Sequence, residues 1–355
     1  MVPELALDRY RLLGRSGLRV SPLALGTLTF GTEWGFGADE AEARRIFDAY
    51  VDHGGNFIDS ANNYTNGHAE TLLGRFAAGR RDRLVISTKY SFRTARDPNA
   101  GGNHRKSMVR AVEASLRRLG TDYIDLYFVH AWDGVTPAEE VLRALDDLVR
   151  GGKVLYLGIS DTPAWQIARM QTMSDLRGWS AFAAMQIEYS LVERTAEREL
   201  IPMGAALDIG IMPWGILAAG VLSGKRRDPG ASVHEDSALN EARLAGTVAS
   251  GGPSERNFAI AEVVREIAGE LGCTPSEIAV AWTLANPAVT SPLIGARTLA
   301  QLETNLQALN VQFEPDHLAR LDEASRIPLG FPHEFLATPA VRRGLAAEVE
   351  RRARR

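Results

Sequence analysis

Four residues in this sequence have side chains that can work together on a proton: Asp59, Tyr64, Lys89 and His130. A free phenol titrates at about pH 10, too high for a ready proton donor and acceptor at neutrality. An ammonium beside it favours the phenolate and lowers that value. A carboxylate paired with the ammonium anchors it and keeps it charged. An imidazole can orient a carbonyl oxygen toward the phenol. The four together would protonate a carbonyl oxygen while a hydride reaches the carbon. Taken singly, each has a plainer reading. Asp59 suits a helix cap, Lys89 a rim charge, and a lone Tyr or His suits packing. What brings them together must be the fold.

The chain alternates short apolar runs with helical stripes. The runs are 23–26, 56–59, 84–88, 124–129, 154–159, 182–187, 209–213 and 289–294, and they suit strands buried on both faces of a parallel sheet. Between them, Met108, Val109, Val112, Leu116 and Leu119 make one helical stripe, and Val141, Leu142, Leu145, Leu148 and Val149 another. Thr274-Pro275-Ser276-Glu277 has capping-box spacing with Pro in the first helical position. Strict strand–helix alternation over this length predicts a closed (β/α)8 barrel, the TIM barrel, over residues 8–330, with 331–355 a C-terminal tail. The alternation in Tyr10–Ser21 predicts an N-terminal β-hairpin. Between strands 7 and 8 lies a long loop, and its Gly-, Ser- and Pro-rich part, 220–255, reads as a lid.

Barrel chemistry sits where strands end. Here the runs end in Asp59, with Tyr64 five residues on, then Lys89, His130, Ser160-Asp161, Gln186 and Trp214. The barrel would converge them on one mouth.

Composition excludes other classes. With 45% hydrophobic and 24% charged residues the chain is that of a globular protein. A net charge of −4 gives no global attraction to nucleic acid or anionic membrane. One cysteine, Cys273, forms no disulfide framework or Cys-built metal site. No apolar run reaches the roughly 18 residues of a membrane span, and no signal peptide is recognisable, which predicts a cytoplasmic protein. There is no G-x-G-x-x-G opening a helix after a strand, no phosphate-binding G-x-x-x-x-G-K-S/T and no H-E-x-x-H. With no metal motif and no flavin fingerprint, a nicotinamide is the hydride source implied.

The segments FIDSANNYTNGHAETLLG, VISTKY, SLRRLGTDYIDLYFVHAWD, GISD, MQIEYSLVER, PWGILAAGVLSGK and PLIGARTLAQLETNL resemble, in order, the signatures of the aldo-keto reductase family. The likeness runs from about residue 8 to 327 and is nearest to the microbial and fungal aryl-alcohol-dehydrogenase-like branch. It implies an NADP-dependent enzyme that reduces aldehydes or ketones to alcohols, with a small-molecule carbonyl substrate. Tyr64 would be the general acid, Lys89 its pKa-lowering partner, Asp59 the anchor of Lys89, and His130 the carbonyl-orienting residue. Ser160, Asp161 and Gln186 would hold the nicotinamide carboxamide, and Trp214 would stack on its ring. Leu217 and Gly220 fall in the pyrophosphate-covering loop. Gly295, Arg297, Gln301 and Asn305 match the adenosine 2′-phosphate end. No acidic residue is expected where a free ribose 2′-hydroxyl would be favoured, so NADPH should be preferred.

The chain departs from the family's pattern in places. Asp161 stands where Asn is frequent, and an ionised Asp cannot donate to the carboxamide oxygen, so Ser160 or Gln186 must. Gly215 replaces a frequent Ser, Thr65 follows the tyrosine where Gly is usual, and Thr304 replaces an acidic adenine contact. Gln301 also pairs with Thr298 as a capping box. Around the mouth, Trp34, Phe36, Tyr90, Trp132 and Phe331 favour aryl or bulky apolar substrates, and rim packing explains them equally well. A catalytically slow nicotinamide-binding regulatory subunit is the alternative from another class, and a phosphosugar barrel a third. No nucleic-acid or membrane partner is expected, and the chain should be a monomer or weak homo-oligomer.

Overall fold

A computed structural model describes residues 6–224 and 254–345. Most of the stretch read as a lid, and the last ten residues of the tail, lie outside the described residues. Eight parallel strands follow one another around a barrel. They are β3 (Ala24–Gly26), β4 (Phe57–Asp59), β5 (Val85–Tyr90), β6 (Ile124–Val129), β7 (Val154–Ser160), β8 (Phe182–Glu188), β9 (Gly210–Trp214) and β10 (Leu293–Gly295). Each pairs with the next from β3 to β9, and β10 returns to β3. The remaining seam is nearly closed by Thr290, whose N–H donates to Ile211 O of β9 at 2.8 Å. This is the expected (β/α)8 barrel. Its last strand begins at Leu293, and the front of the 289–294 run makes the seam instead. The antiparallel hairpin β1 (Arg11–Leu12) and β2 (Arg19–Val20) precedes it, as the alternation predicts.

The helices form where the pattern and caps put them. They are α1 (Glu40–Asp52), α2 (His68–Ala77), α3 (Arg105–Leu119), α4 (Ala138–Arg150), α5 (Ala164–Arg177) and α6 (Leu200–Ala206), then α7 (Glu255–Leu271), α8 (Pro275–Ala285), α9 (Leu299–Gln307), α10 (Pro315–Ser325), α11 (His333–Ala337) and α12 (Pro339–Leu345). Thr274 accepts from Glu277 N at the start of α8, and Thr298 accepts from Gln301 N at the start of α9. Of the stripe assigned to α3, Met108, Val112, Leu116 and Leu119 are buried, but Val109 is exposed. A helix buries positions three and four apart, and Val109 falls beyond the edge of that arc.

Two cores result. One lies inside the barrel, where Leu13 and Val20 of the hairpin region meet Ala24, Phe57, Val85, Leu126, Phe128, Ala184 and Met212. Phe128 fills the interior only because position 158 is glycine, since a Cβ there would lie 2.3 Å from the Phe128 ring. The larger core packs helices on the outer face of the sheet. Each Leu, Ile or Phe fully buried there contributes about 1.5–3 kcal/mol.

Strand alternation sorts the site from its support. On β5, Ser87 and Lys89 point to the barrel interior, while Thr88 and Tyr90 point to the helices. Thr88 Oγ1 donates to Glu70 of α2 at 2.6 Å, and Arg118 of α3 donates to the other oxygen of that buried carboxylate at 2.6 Å. The outward face of the strand is thus bolted to two helices while its inward face carries the lysine.

Candidate active site

Lys89 and Asp59 are both fully buried. The ammonium has three protons and meets three acceptors: Asp59 Oδ2 at 2.5 Å, Ser60 O at 2.7 Å and the Tyr64 hydroxyl at 3.4 Å. The other carboxylate oxygen of Asp59 accepts from Ser87 Oγ at 2.6 Å and from Gln186 Nε2 at 3.1 Å. A buried ion pair persists when its remaining hydrogen-bonding capacity is also met, and here it is. Burial is the largest single influence and pulls the Lys89 pKa down, but the charges of and hydrogen bonds to Asp59 and Tyr64 together outweigh it, and the net direction is up. The lysine is therefore charged at neutral pH.

The phenol does not follow the simple expectation. Lys89 lowers its pKa, but burial raises it further, so Tyr64 titrates above the ordinary value. The reason is that the phenolate would be desolvated, and Asp59 also repels it. The consequence is chemical: at neutral pH the hydroxyl keeps its proton and can give it away.

His130 completes the group, its ring centroid 6.0 Å from that of Tyr64 in an edge-on arrangement. Burial, aided by the Lys89 charge, holds its pKa well below 6.5. A neutral imidazole can donate one N–H to an oxygen without protonating it. Among the described residues its Nδ1 is buried without a hydrogen-bond partner. Stability should register this group. Above pH 6.5 the ring is neutral folded or unfolded. Below it the unfolded chain takes up a proton that the folded one refuses, so stability falls as the pH falls. At pH 5.5 the loss is on the order of 1 kcal/mol. Urea unfolding at pH 7.5 and 5.5 should show a drop that is smaller in His130→Phe; an equal drop in both proteins would mean that the folded ring protonates freely.

The group is braced by residues that sequence reasoning missed. Ser87 holds Asp59, and period-two alternation from Lys89 would have found it. Asn103, fully buried, donates from Nδ2 to Ser91 Oγ at 2.8 Å and to Ala131 O at 2.9 Å, stapling together the segments that leave β5 and β6. His130 N donates to Ser91 Oγ at 3.2 Å in the same network.

Around the tetrad, Trp34 meets the Tyr64 ring edge-on at 6.4 Å, and Phe36 lies 6.2 Å from Trp34. Tyr90 is not part of this mouth. It is fully buried on the helix side of β5, stacked on Tyr127 at 5.4 Å, with its hydroxyl donating to Asn103 O. Neighbouring residues on a strand face opposite ways, so the residue after an inward lysine must face out. Phe92, two residues further on, takes the place: its half-exposed ring meets His130 edge-on at 4.6 Å. Trp132 is half-buried against the outer core, and its backbone N–H donates to Asp161 O at 3.3 Å. Phe331 is exposed.

The polar residues expected at the other strand ends also gather. Ser160 and Gln186 lie opposite each other in adjacent β7 and β8. Trp214 ends β9, and its indole N–H donates to Asp161 Oδ1 at 3.2 Å. Asp161 has a left-handed backbone, φ 38°. Beyond Trp214, Leu217 opens a tight segment in which Ala218, Ala219 and Gly220 are all left-handed. Near α9, Asn305 Nδ2 donates to Gly295 O at 3.1 Å, and Gln301 Oε1 accepts from Arg297 N at 2.9 Å. Gln301 is thus engaged as a cap. Arg297 is exposed. Glu42 of α1 accepts from Leu299 N at 2.7 Å, so the first turn of α9 already receives a carboxylate.

Among the described residues no cluster of His, Cys, Asp and Glu could hold a metal, and no helix is long and apolar enough to cross a membrane. Residues 22–326 match the profile of the Aldo/keto reductase family. The chain is 36% identical to a norsolorinic acid reductase of Aspergillus flavus, over 94% of this chain and 85% of that one. It is 34% identical to a putative aryl-alcohol dehydrogenase of Saccharomyces cerevisiae, over 97% and 94%. It is also 34% identical to an aryl-alcohol dehydrogenase (NADP+) of Phanerodontia chrysosporium, over 93% and 89%. A nearly closed eight-stranded barrel, a buried Asp–Lys pair against a phenol, and a profile spanning most of the sequence lead to one conclusion: this chain is an oxidoreductase of the aldo/keto reductase family.

Proposed function

We propose that the protein is an NADPH-dependent carbonyl reductase acting on aryl or bulky apolar aldehydes and ketones. It would work as a single barrel unit over residues 8–330, as a cytoplasmic monomer or weak homo-oligomer. The observation that carries the reading is the Lys89 ammonium, buried within reach of both the Asp59 carboxylate and the Tyr64 hydroxyl. The donor set fits a nicotinamide. Gln186 uses one amide proton on Asp59 and keeps another donor and an acceptor, which is what a carboxamide needs. Ser160 is its neighbour in the sheet, and the half-exposed indole of Trp214 offers a flat apolar face. Bound there, NADPH supplies hydride to the carbonyl carbon. Tyr64 gives the carbonyl oxygen its proton, and neutral His130 donates a hydrogen bond that orients the oxygen. Lys89 stabilises the phenolate that Tyr64 becomes, and Asp59 holds Lys89. Trp34 and Phe92 flank the phenol and imidazole, which favours a flat apolar substituent on the carbonyl.

Cofactor fluorescence and absorbance assays with a panel of aryl and alkyl aldehydes test the reading. Tight NADPH binding with no turnover of any carbonyl would favour the slow regulatory subunit. The preference for NADPH rests on Arg297, because Glu42 already occupies a first-turn N–H of α9. Its guanidinium offers a planar fork to a 2′-phosphate. Arg297→Ala should weaken NADPH binding by about 1.5–3 kcal/mol, the range for hydrogen bonds to charged groups. NADH binding should hardly change. Equal weakening of both cofactors would remove Arg297 from phosphate recognition.

A further inference from the structure

Thr65 follows the phenol in an unexpected backbone conformation, φ 45°, ψ 42°. Asn66 (φ 59°) and Gly67 (φ 90°) continue it, making three left-handed residues in a row. An L-residue visits this region singly and at a cost, and a β-branched one least of all. Such a conformation persists only where the surroundings hold it. Here they do. Thr65 is buried, its Oγ1 donates to Phe30 O at 3.0 Å, and it accepts from Ala69 N at 2.9 Å. The hydroxyl therefore joins the first turn of α2 to the start of the loop between β3 and α1. That loop carries Trp34, whose ring edge meets Tyr64. The contact is close: a Cβ on Gly31 would lie 3.3 Å from Thr65 Cβ and Cγ2.

We propose that Thr65 is a positioning residue for carbonyl reduction. Its left-handed backbone aims the neighbouring phenol at Lys89, and its hydroxyl pins the Trp34 loop against that phenol. The proposal rests on the reading of Tyr64 as proton donor. The 3.4 Å separation between the Tyr64 hydroxyl and Lys89 Nζ leaves little room for drift. A misplacement of about 1 Å at a reacting group can cost about 100-fold in rate. A second link, His68 Nδ1 to Glu33 Oε1 at 3.0 Å, joins the same two segments. Loss of the Thr65 hydroxyl should therefore loosen the alignment without detaching the loop.

The variants are Thr65→Gly and Thr65→Ser, with Tyr64→Phe in parallel. Glycine accepts the left-handed backbone, so Thr65→Gly should fold, with a melting temperature lowered by the two hydrogen bonds that the hydroxyl gives up. Its kcat for an aryl aldehyde should nonetheless fall about tenfold, a part of the loss that misplacement can cause. The KM should rise as the Trp34 loop loosens, while the Kd for NADPH, read by fluorescence, stays unchanged. Thr65→Ser restores the hydroxyl and should return kcat to within about threefold of the parent. If Tyr64→Phe is inactive and Thr65→Gly has the parent's kcat, the proposal is overturned. It is equally overturned if Thr65→Ser is as slow as Thr65→Gly, or if Thr65→Gly does not fold, since the residue would then serve the fold alone. Full activity in Tyr64→Phe would instead overturn the reading on which the proposal rests.

Discussion

Tyr64→Phe should lower carbonyl reduction by at least about 100-fold, the low end of what a positioned general acid contributes. The ring stays, with its edge contacts to Trp34 and His130, so the shape of the mouth is kept. Only the hydroxyl leaves. Lys89 then loses its longest hydrogen bond, at 3.4 Å, and keeps those to Asp59 and Ser60 O. Stability should change by no more than about 1 kcal/mol, the net worth of an ordinary hydrogen bond. NADPH affinity should be unchanged. A melting curve, a cofactor titration and a turnover assay on the same preparation separate the three effects. His130 cannot take over the proton transfer, because its depressed pKa leaves it neutral at working pH. Near-parent turnover would therefore falsify Tyr64 as the acid and would point to the Lys89 ammonium, whose proton on Tyr64 the change frees, as the donor beside it.

The tetrad was legible because its members break the apolar runs that carry them. An acid ending 56–59 and a lysine ending 84–88 are costly inside a barrel unless they serve each other, and the strand ends are where they meet. Ser87 was legible by the same alternation, two residues before Lys89. The aromatic character of Tyr90 suits the mouth, but its odd spacing from Lys89 decides its side: the rule that places Ser87 inward places Tyr90 outward. Phe92 lies past the strand end, where periodicity stops. The direction of the Tyr64 pKa was not legible at all, because it depends on how far burial outweighs one nearby charge. Glu42 at the start of α9 arises from packing between helices 257 residues apart in sequence. Thr65 is the most instructive case. Threonine is among the residues least suited to a left-handed backbone, so local propensity argues against the conformation that the barrel mouth imposes there.

Lys89→Met should be both slow and unstable, and the two losses have different sources. Removing the ammonium leaves the Asp59 carboxylate fully buried, with only Ser87 and Gln186 as partners. Breaking a buried pair by deleting one member typically costs about 3–5 kcal/mol, and urea unfolding should show a loss of that size. The double variant Asp59→Asn/Lys89→Met removes the stranded charge and should recover most of the stability but none of the rate. The folded pKa of Lys89 is raised, so the parent's advantage is fully present below about pH 10.5, the ordinary lysine value. It is lost only as the pH climbs through the still higher folded value, so Lys89 itself adds no slope to the parent's stability from pH 6 to 9. In activity the sign is set by the phenol. Burial already lifts the Tyr64 pKa, and Lys89 opposes that rise while Asp59 adds to it. Without Lys89 the phenol holds its proton to still higher pH, so whatever reduction remains should persist further into the alkaline range than in the parent. The rate falls even so, because the phenolate formed on proton transfer has lost its counter-charge. A profile displaced toward lower pH would show that the ammonium does not depress the phenol, and would leave Lys89 with a structural role through Asp59 alone.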